Sequence, residues 1–140
     1  MTYIEEYRDL FTMPNSYHFA HCIASDLGMG AGIAVPMQKS FGLRGKILNT
    51  GLPLQHPTVI KTDRIFNLIT KAKSSGKPTL NSLHMSIIKM RDIAVQEGIM
   101  QIAMPKIGCG IDKLSWPQVR EILKTEFANT DIEIYVCNWD

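Results

Sequence analysis

Two glycine-rich stretches and two charged residues beside them carry most of the chemistry this chain offers. The first stretch is Gly28-Met29-Gly30-Ala31-Gly32-Ile33-Ala34, which runs directly into a helical pattern. Such a turn presents free backbone amides and the positive end of a helix dipole, which suits a phosphate. It is neither a P-loop, since no Gly-Lys-Ser/Thr follows, nor the dinucleotide pattern GxGxxG. Glycines also serve ordinary tight turns, so the loop alone leaves both readings open.

The second stretch is MPKIGCGIDKLSW, residues 104–116. Gly108 and Gly110 around Cys109 would let the amides of residues 107–111 approach an anion closely. Cys109 has no histidine nearby in sequence to activate it and reads as a small apolar residue rather than a nucleophile. Asp112 is either an acid for proton transfer or a carboxylate placed favourably ahead of the last helix. Lys71 closes a strand pattern, where lysines are routine. Held in a dry cleft, however, its amine is a nucleophile toward carbonyl carbon.

These groups need elements to position them. Residues 3–8 and 16–24 read as strands, the second rich in aromatic and apolar side chains. Residues 33–41 read as a short helix stopped by Gly42. Pro36 fits only the first turn of a helix, so that helix starts close to Ala34 and the amides of residues 30–33 lie free of helical bonding. Residues 43–56 read as irregular. Residues 57–61 and 65–71 form a hairpin turning at Thr62-Asp63.

After a polar loop at residues 73–78, Leu80, Leu83, Ile87, Met90 and Ala94 recur at helical spacing, predicting a helix over 79–97 stopped by Gly98. Residues 99–104 form a short buried strand. Ser115 and Gln118 suggest a capping box for a helix over 115–128, with Pro117 in its first turn, and 132–137 is a closing strand. The alternation predicts an α/β sandwich around a mixed sheet. In such folds ligands lie beyond the carboxyl ends of the strands, so both glycine loops should open on one side.

With 140 residues, 45% hydrophobic and 20% charged, the chain is one domain's worth and can bury a real core. A net charge of +2 does not by itself argue for nucleic acid. No apolar run reaches bilayer-spanning length, so no membrane partner is expected. The acidic, amphipathic start lacks the pattern of a secretory signal. Cys22, Cys109 and Cys137, odd in number and widely spaced, fit free thiols in a reducing intracellular compartment, cytoplasmic or nuclear. The histidines show no ligand spacing, so neither a metal nor another cofactor is called for. A monomer is the default at this size.

Three segments together resemble the macrodomains that bind ADP-ribose, in the branch that hydrolyses terminal ADP-ribose on proteins. They are HCIASDLGMGAGIAVPMQKSFG (residues 21–42), LITKAKSSGKPT (68–79) and MPKIGCGIDKLSW (104–116). The likeness runs in order along nearly the whole chain and implies a three-layer α/β/α sandwich with a six-stranded mixed sheet over residues 1–140. It implies that Met29, Gly30, Ala31, Gly32, Ile33 and Ala34 wrap the diphosphate and distal ribose, with Ile107, Gly108, Cys109, Gly110 and Ile111 as the opposing lip. By the same resemblance Lys71 and Asp112 are catalytic, and Asp9 contacts the adenine amino group. Arg8 stands where family members usually carry glycine, and Ala24 where close relatives commonly have serine. The implied function is removal of ester-linked ADP-ribose, glutamate foremost, from modified proteins. The alternatives are hydrolysis of ADP-ribosylated DNA, with residues 71–77 near its phosphates, hydrolysis of O-acetyl-ADP-ribose, and a non-catalytic ADP-ribose reader.

Overall fold

A computed structural model describes residues 1–110 and 112–139. Its strands are β1 (Thr2–Tyr7), β2 (His18–Ala24), β3 (Thr58–Thr62), β4 (Ile65–Lys71), β5 (Gln101–Met104) and β6 (Glu133–Asn138). Its helices are α1 (Ala34–Phe41), α2 (Leu43–Asn49), α3 (Leu80–Glu97) and α4 (Trp116–Phe127), with a 3-10 turn at Leu10–Thr12. The six strands form one sheet in the order β1-β6-β5-β2-β4-β3. Among the described residues only the β3–β4 hairpin is antiparallel; every other pairing is parallel.

Period-two alternation sends the central strands' side chains to two separate cores. Ala20, Phe66, Leu68, Ile102, Met104, Ile134 and Val136 pack on one face with α3 and α4. Phe19, Ile23, Ile65, Ile69, Ala103 and Tyr135 pack on the other with α1, α2 and Leu10. Helices on both faces explain why β4 is buried along six of its seven residues, as a parallel-type central strand must be.

Proline and glycine set the boundaries around α1 as expected. Ile33 is its N-cap, Pro36 lies in its first turn, and Gly42 ends it at φ 59 in the left-handed region. The expectation of an irregular segment after Gly42 is corrected. Gly42 also starts α2, whose Leu43 and Ile47, one turn apart, are fully buried. The hairpin turn falls one residue later than expected, with Thr62 paired to Ile65 and Asp63 taking φ 51.

The capping box is corrected too. Ser115 is the N-cap of α4 but makes no side-chain cap bond. Pro117 occupies the second helical position and removes one of the two amides a cap side chain can reach. A closed box occurs instead at α3. There Ser82 N donates to Thr79 Oγ1 at 2.9 Å, and Thr79 N to Ser82 Oγ at 3.1 Å.

Candidate active-site cleft

β2, β4, β5 and β6 are mutually parallel, so their carboxyl ends meet along one edge of the sheet. The chain leaving β2 forms a first lip at residues 29–34, and the chain leaving β5 forms a second at residues 107–110. Between them lies a cleft of about 450 Å³, also lined by Lys71 and Asp112. Among the described residues no hydrogen bond engages the amides of residues 29–33. Those donors remain available to an anion.

Both lips are held under backbone strain. Leu27 (φ 55) just ahead of the first lip, Met29 (φ 45) within it and Lys113 (φ 59) just beyond the second take the left-handed region despite carrying side chains. Such residues persist only where their surroundings over-determine them, and they cluster at functional sites. Leu27 and Met29 are buried, and Arg44 bonds the carbonyls of Leu27 and Gly28, both at 2.8 Å. The second lip braces itself, Leu114 N donating to Gly108 O at 2.8 Å and Cys109 N to Lys106 O at 3.2 Å. Gly108, at φ 73, has no room for a side chain: a Cβ would meet Leu83 Cδ2 at 2.9 Å.

Lys71 and Asp112 come from opposite ends of this construction. Lys71 Nζ donates to Asp112 Oδ1 at 2.7 Å, the two side chains being only 11% and 13% exposed. Cys22 and Cys109 line the same cleft. Burial, reinforced by the Asp112 carboxylate, pushes the Cys22 thiol far up, against weaker opposing effects from Lys71 and the Gly108 amide. Burial also raises Cys109 to about 11 against the pull of Lys106. Both thiols are thus held protonated, which makes them poor nucleophiles.

Met29, Gly30, Ala31, Gly32, Ile33 and Ala34 line one side, and Ile107, Gly108, Cys109 and Gly110 the other. Ile111 lies outside the described residues. Asp9 is not among the lining residues. Its Oδ1 accepts from Phe11 N at 3.0 Å and caps the 3-10 turn. Its neighbour Arg8 donates from its backbone N to the carbonyl of the cleft-lining Asn138 at 3.2 Å. Cys22, Ser74, Lys106 and Asn138 also line the cleft, though none of them was expected to contact ADP-ribose. Asn138 ends its strand, Ser74 and Lys106 lie just beyond theirs, and Cys22 lies two residues before the end of β2, so nearness to the carboxyl ends of parallel strands was the signal available to find them. Trp139, 56% exposed, forms the cleft's rim against Tyr7, their ring centroids 5.1 Å apart.

No protein-family model matches the chain. It is 40% identical over 138 residues, 97% of its own length and 90% of the relative's, to a Homo sapiens protein named ADP-ribose glycohydrolase OARD1. The macrodomain of Thermus aquaticus DarG superposes with a TM-score of 0.85 at 19% identity, covering 98% of each chain. Thermosipho africanus DarTG, solved in complex with ADP-ribose, superposes with a TM-score of 0.73 at 16% identity, covering 91% of this chain and 39% of that one. These likenesses show that the α/β/α sandwich is the macrodomain fold.

Proposed function

The chain belongs to the family of macrodomains represented by ADP-ribose glycohydrolase OARD1, and from that premise we propose that it is a hydrolase releasing ADP-ribose from ester-linked acidic side chains of modified proteins, glutamate foremost. The observation that carries this reading is the Lys71 Nζ–Asp112 Oδ1 contact of 2.7 Å inside a cleft walled by two glycine-rich lips. A reader needs the lips alone; the amine and carboxylate add chemistry.

The free amides of residues 29–33 suit the diphosphate, and Lys106 adds a cation at the second lip. The distal ribose then lies against Lys71. An amine attacks carbon only as the free base, and Asp112 is in reach to take the Lys71 proton. A bond forms from Nζ to the anomeric carbon while that carbon's bond to the ester oxygen breaks, and the carboxylate leaves with the electron pair. Water then cleaves the lysyl–sugar adduct, with Asp112 shuttling the proton, so that ADP-ribose departs and the amine is regenerated.

The test offers glutamate-ADP-ribosylated protein, ADP-ribosylated single-stranded DNA and O-acetyl-ADP-ribose to the wild type, Lys71→Ala and Asp112→Ala. Release of ADP-ribose from the protein by the wild type, lost in both variants, is the expected result. Release from DNA alone would reassign the substrate, and tight binding without any release would leave a reader.

A further inference from the structure

We propose that Asp26 is a positioning residue for this reaction, its carboxylate clamping the first lip to the segment that leaves Lys71. The inference rests on the reaction proposed above. Asp26 Oδ1 accepts from Gly28 N at 3.0 Å and from Ser74 Oγ at 2.6 Å, while Oδ2 accepts from Ser74 N at 2.8 Å. One exposed side chain therefore ties the base of the lip to a cleft-lining residue three positions beyond Lys71.

The surrounding backbone explains why a clamp is needed there. The β2–β4 register shifts between Ile23 and Ala24, bringing Ala24 opposite Lys71, and Ser25 N then donates to Lys71 O at 2.9 Å. Beyond Ser25 the lip departs from the sheet. Arg44 grips the carbonyls of Leu27 and Gly28, within the lip itself. Beside a longer Ser25 Oγ–Lys71 O contact of 3.4 Å, the Asp26–Ser74 bonds join the lip whose amides face the diphosphate to the segment leaving the strand end that carries the nucleophile. The fit is close: a Cβ on Gly28 would collide with Ser74 Oγ. Because reacting atoms must approach within a narrow distance, loosening the link costs rate more than affinity.

The experiment compares wild type, Asp26→Ala, Asp26→Asn and Ser74→Ala for kcat, KM, the Kd of ADP-ribose, the pH–rate profile and the thermal midpoint. Misplacement by about 1 Å can cost ~10²-fold, so Asp26→Ala should lose about 10-fold or more in kcat while the Kd stays within about threefold. Ser74→Ala should lose part of this. Asp26→Asn keeps an acceptor for Gly28 N and Ser74 Oγ but turns a donor toward Ser74 N, so it should recover part of kcat, with an unshifted pH profile. The clamp is overturned if Asp26→Ala turns over within about twofold of the wild type. It is equally overturned if Asp26→Asn loses as much as Asp26→Ala, which would trace the effect to charge. A wild type that releases nothing overturns the parent reading as well, before any variant is compared.

Discussion

Lys71, the last residue of β4, and Asp112, ahead of α4, are 41 positions apart in the chain, yet Nζ and Oδ1 meet at 2.7 Å. In the proposed reaction the two act as nucleophile and base. Replacing Lys71 with Ala should abolish release of ADP-ribose. Replacing Asp112 with Asn keeps the shape but removes the base, and should lower kcat by about 10²–10⁴. Equilibrium binding of ADP-ribose by the same variants should change by no more than about threefold, since in the proposed reading the lips hold the diphosphate. Titration calorimetry beside single-turnover kinetics checks both halves.

The same contact has a stability consequence. With its side chain only 11% exposed, Lys71 has little water to replace a lost partner. Asp112→Leu should therefore destabilise the fold by about 1–3 kcal/mol, below the 3–5 of a fully buried pair because both ends retain some exposure. Adding Lys71→Met should recover much of that loss, giving a coupling of about 0.5–3 kcal/mol in a double-mutant cycle. Urea unfolding of the four proteins measures it, and additive single effects would contradict it.

The two glycines of the second lip should respond differently to alanine. Gly108 sits at φ 73, with Leu83 Cδ2 and Leu114 Cδ1 only 2.9 and 3.1 Å from where a Cβ would go. Gly108→Ala should cost about 1–3 kcal/mol through backbone strain and shift the lip, weakening ADP-ribose binding. A Cβ on Gly110 meets nothing within 4 Å. Gly110→Ala should stay within about 0.5 kcal/mol of the wild type in stability. Thermal midpoints separate the pair directly.

How far the sequence foretold this depends on how local the determinants were. Pro36 and Gly42 bracket α1 because each dictates φ at its own position. Both lips were legible for the same reason, as glycines ahead of helix starts. The helix after Gly42 was not legible, since Gly45 interrupts it and only Leu43 and Ile47 mark its buried face. The cap of α3 escaped because Ser82 takes the place of the usual Glu or Gln, its hydroxyl both receiving the Thr79 amide and reaching Thr70 O at 2.8 Å. Cys22, Ser74, Lys106 and Asn138 gather only through sheet register, which no short window of sequence contains. The distance from Lys71 to Asp112 is non-local in the same way and entered beforehand only through resemblance.

His21 makes acid stability a property of the sheet itself. It lies on β2, fully buried, with Nε2 2.6 Å from Asn67 Oδ1 and no partner for Nδ1 among the described residues. Burial lowers its pKa to about 4, the Asn67 bond opposing only in part. In the unfolded chain the ring titrates near ~6.5, so between about pH 6.5 and 4 the unfolded state binds the extra proton. Stability is therefore complete above the unfolded value and falls as pH drops through that window. The loss at this site is about 3 kcal/mol by pH 4. His18, half-buried and lowered by burial and by Lys61, adds to the same limb. Urea midpoints measured from pH 7 to 4 should therefore descend. His21→Gln, though less stable at pH 7 for its poorer fit beside Asn67, should descend less steeply, because the buried site no longer refuses a proton that the unfolded chain accepts. Parallel curves for the two proteins would remove His21 as the cause.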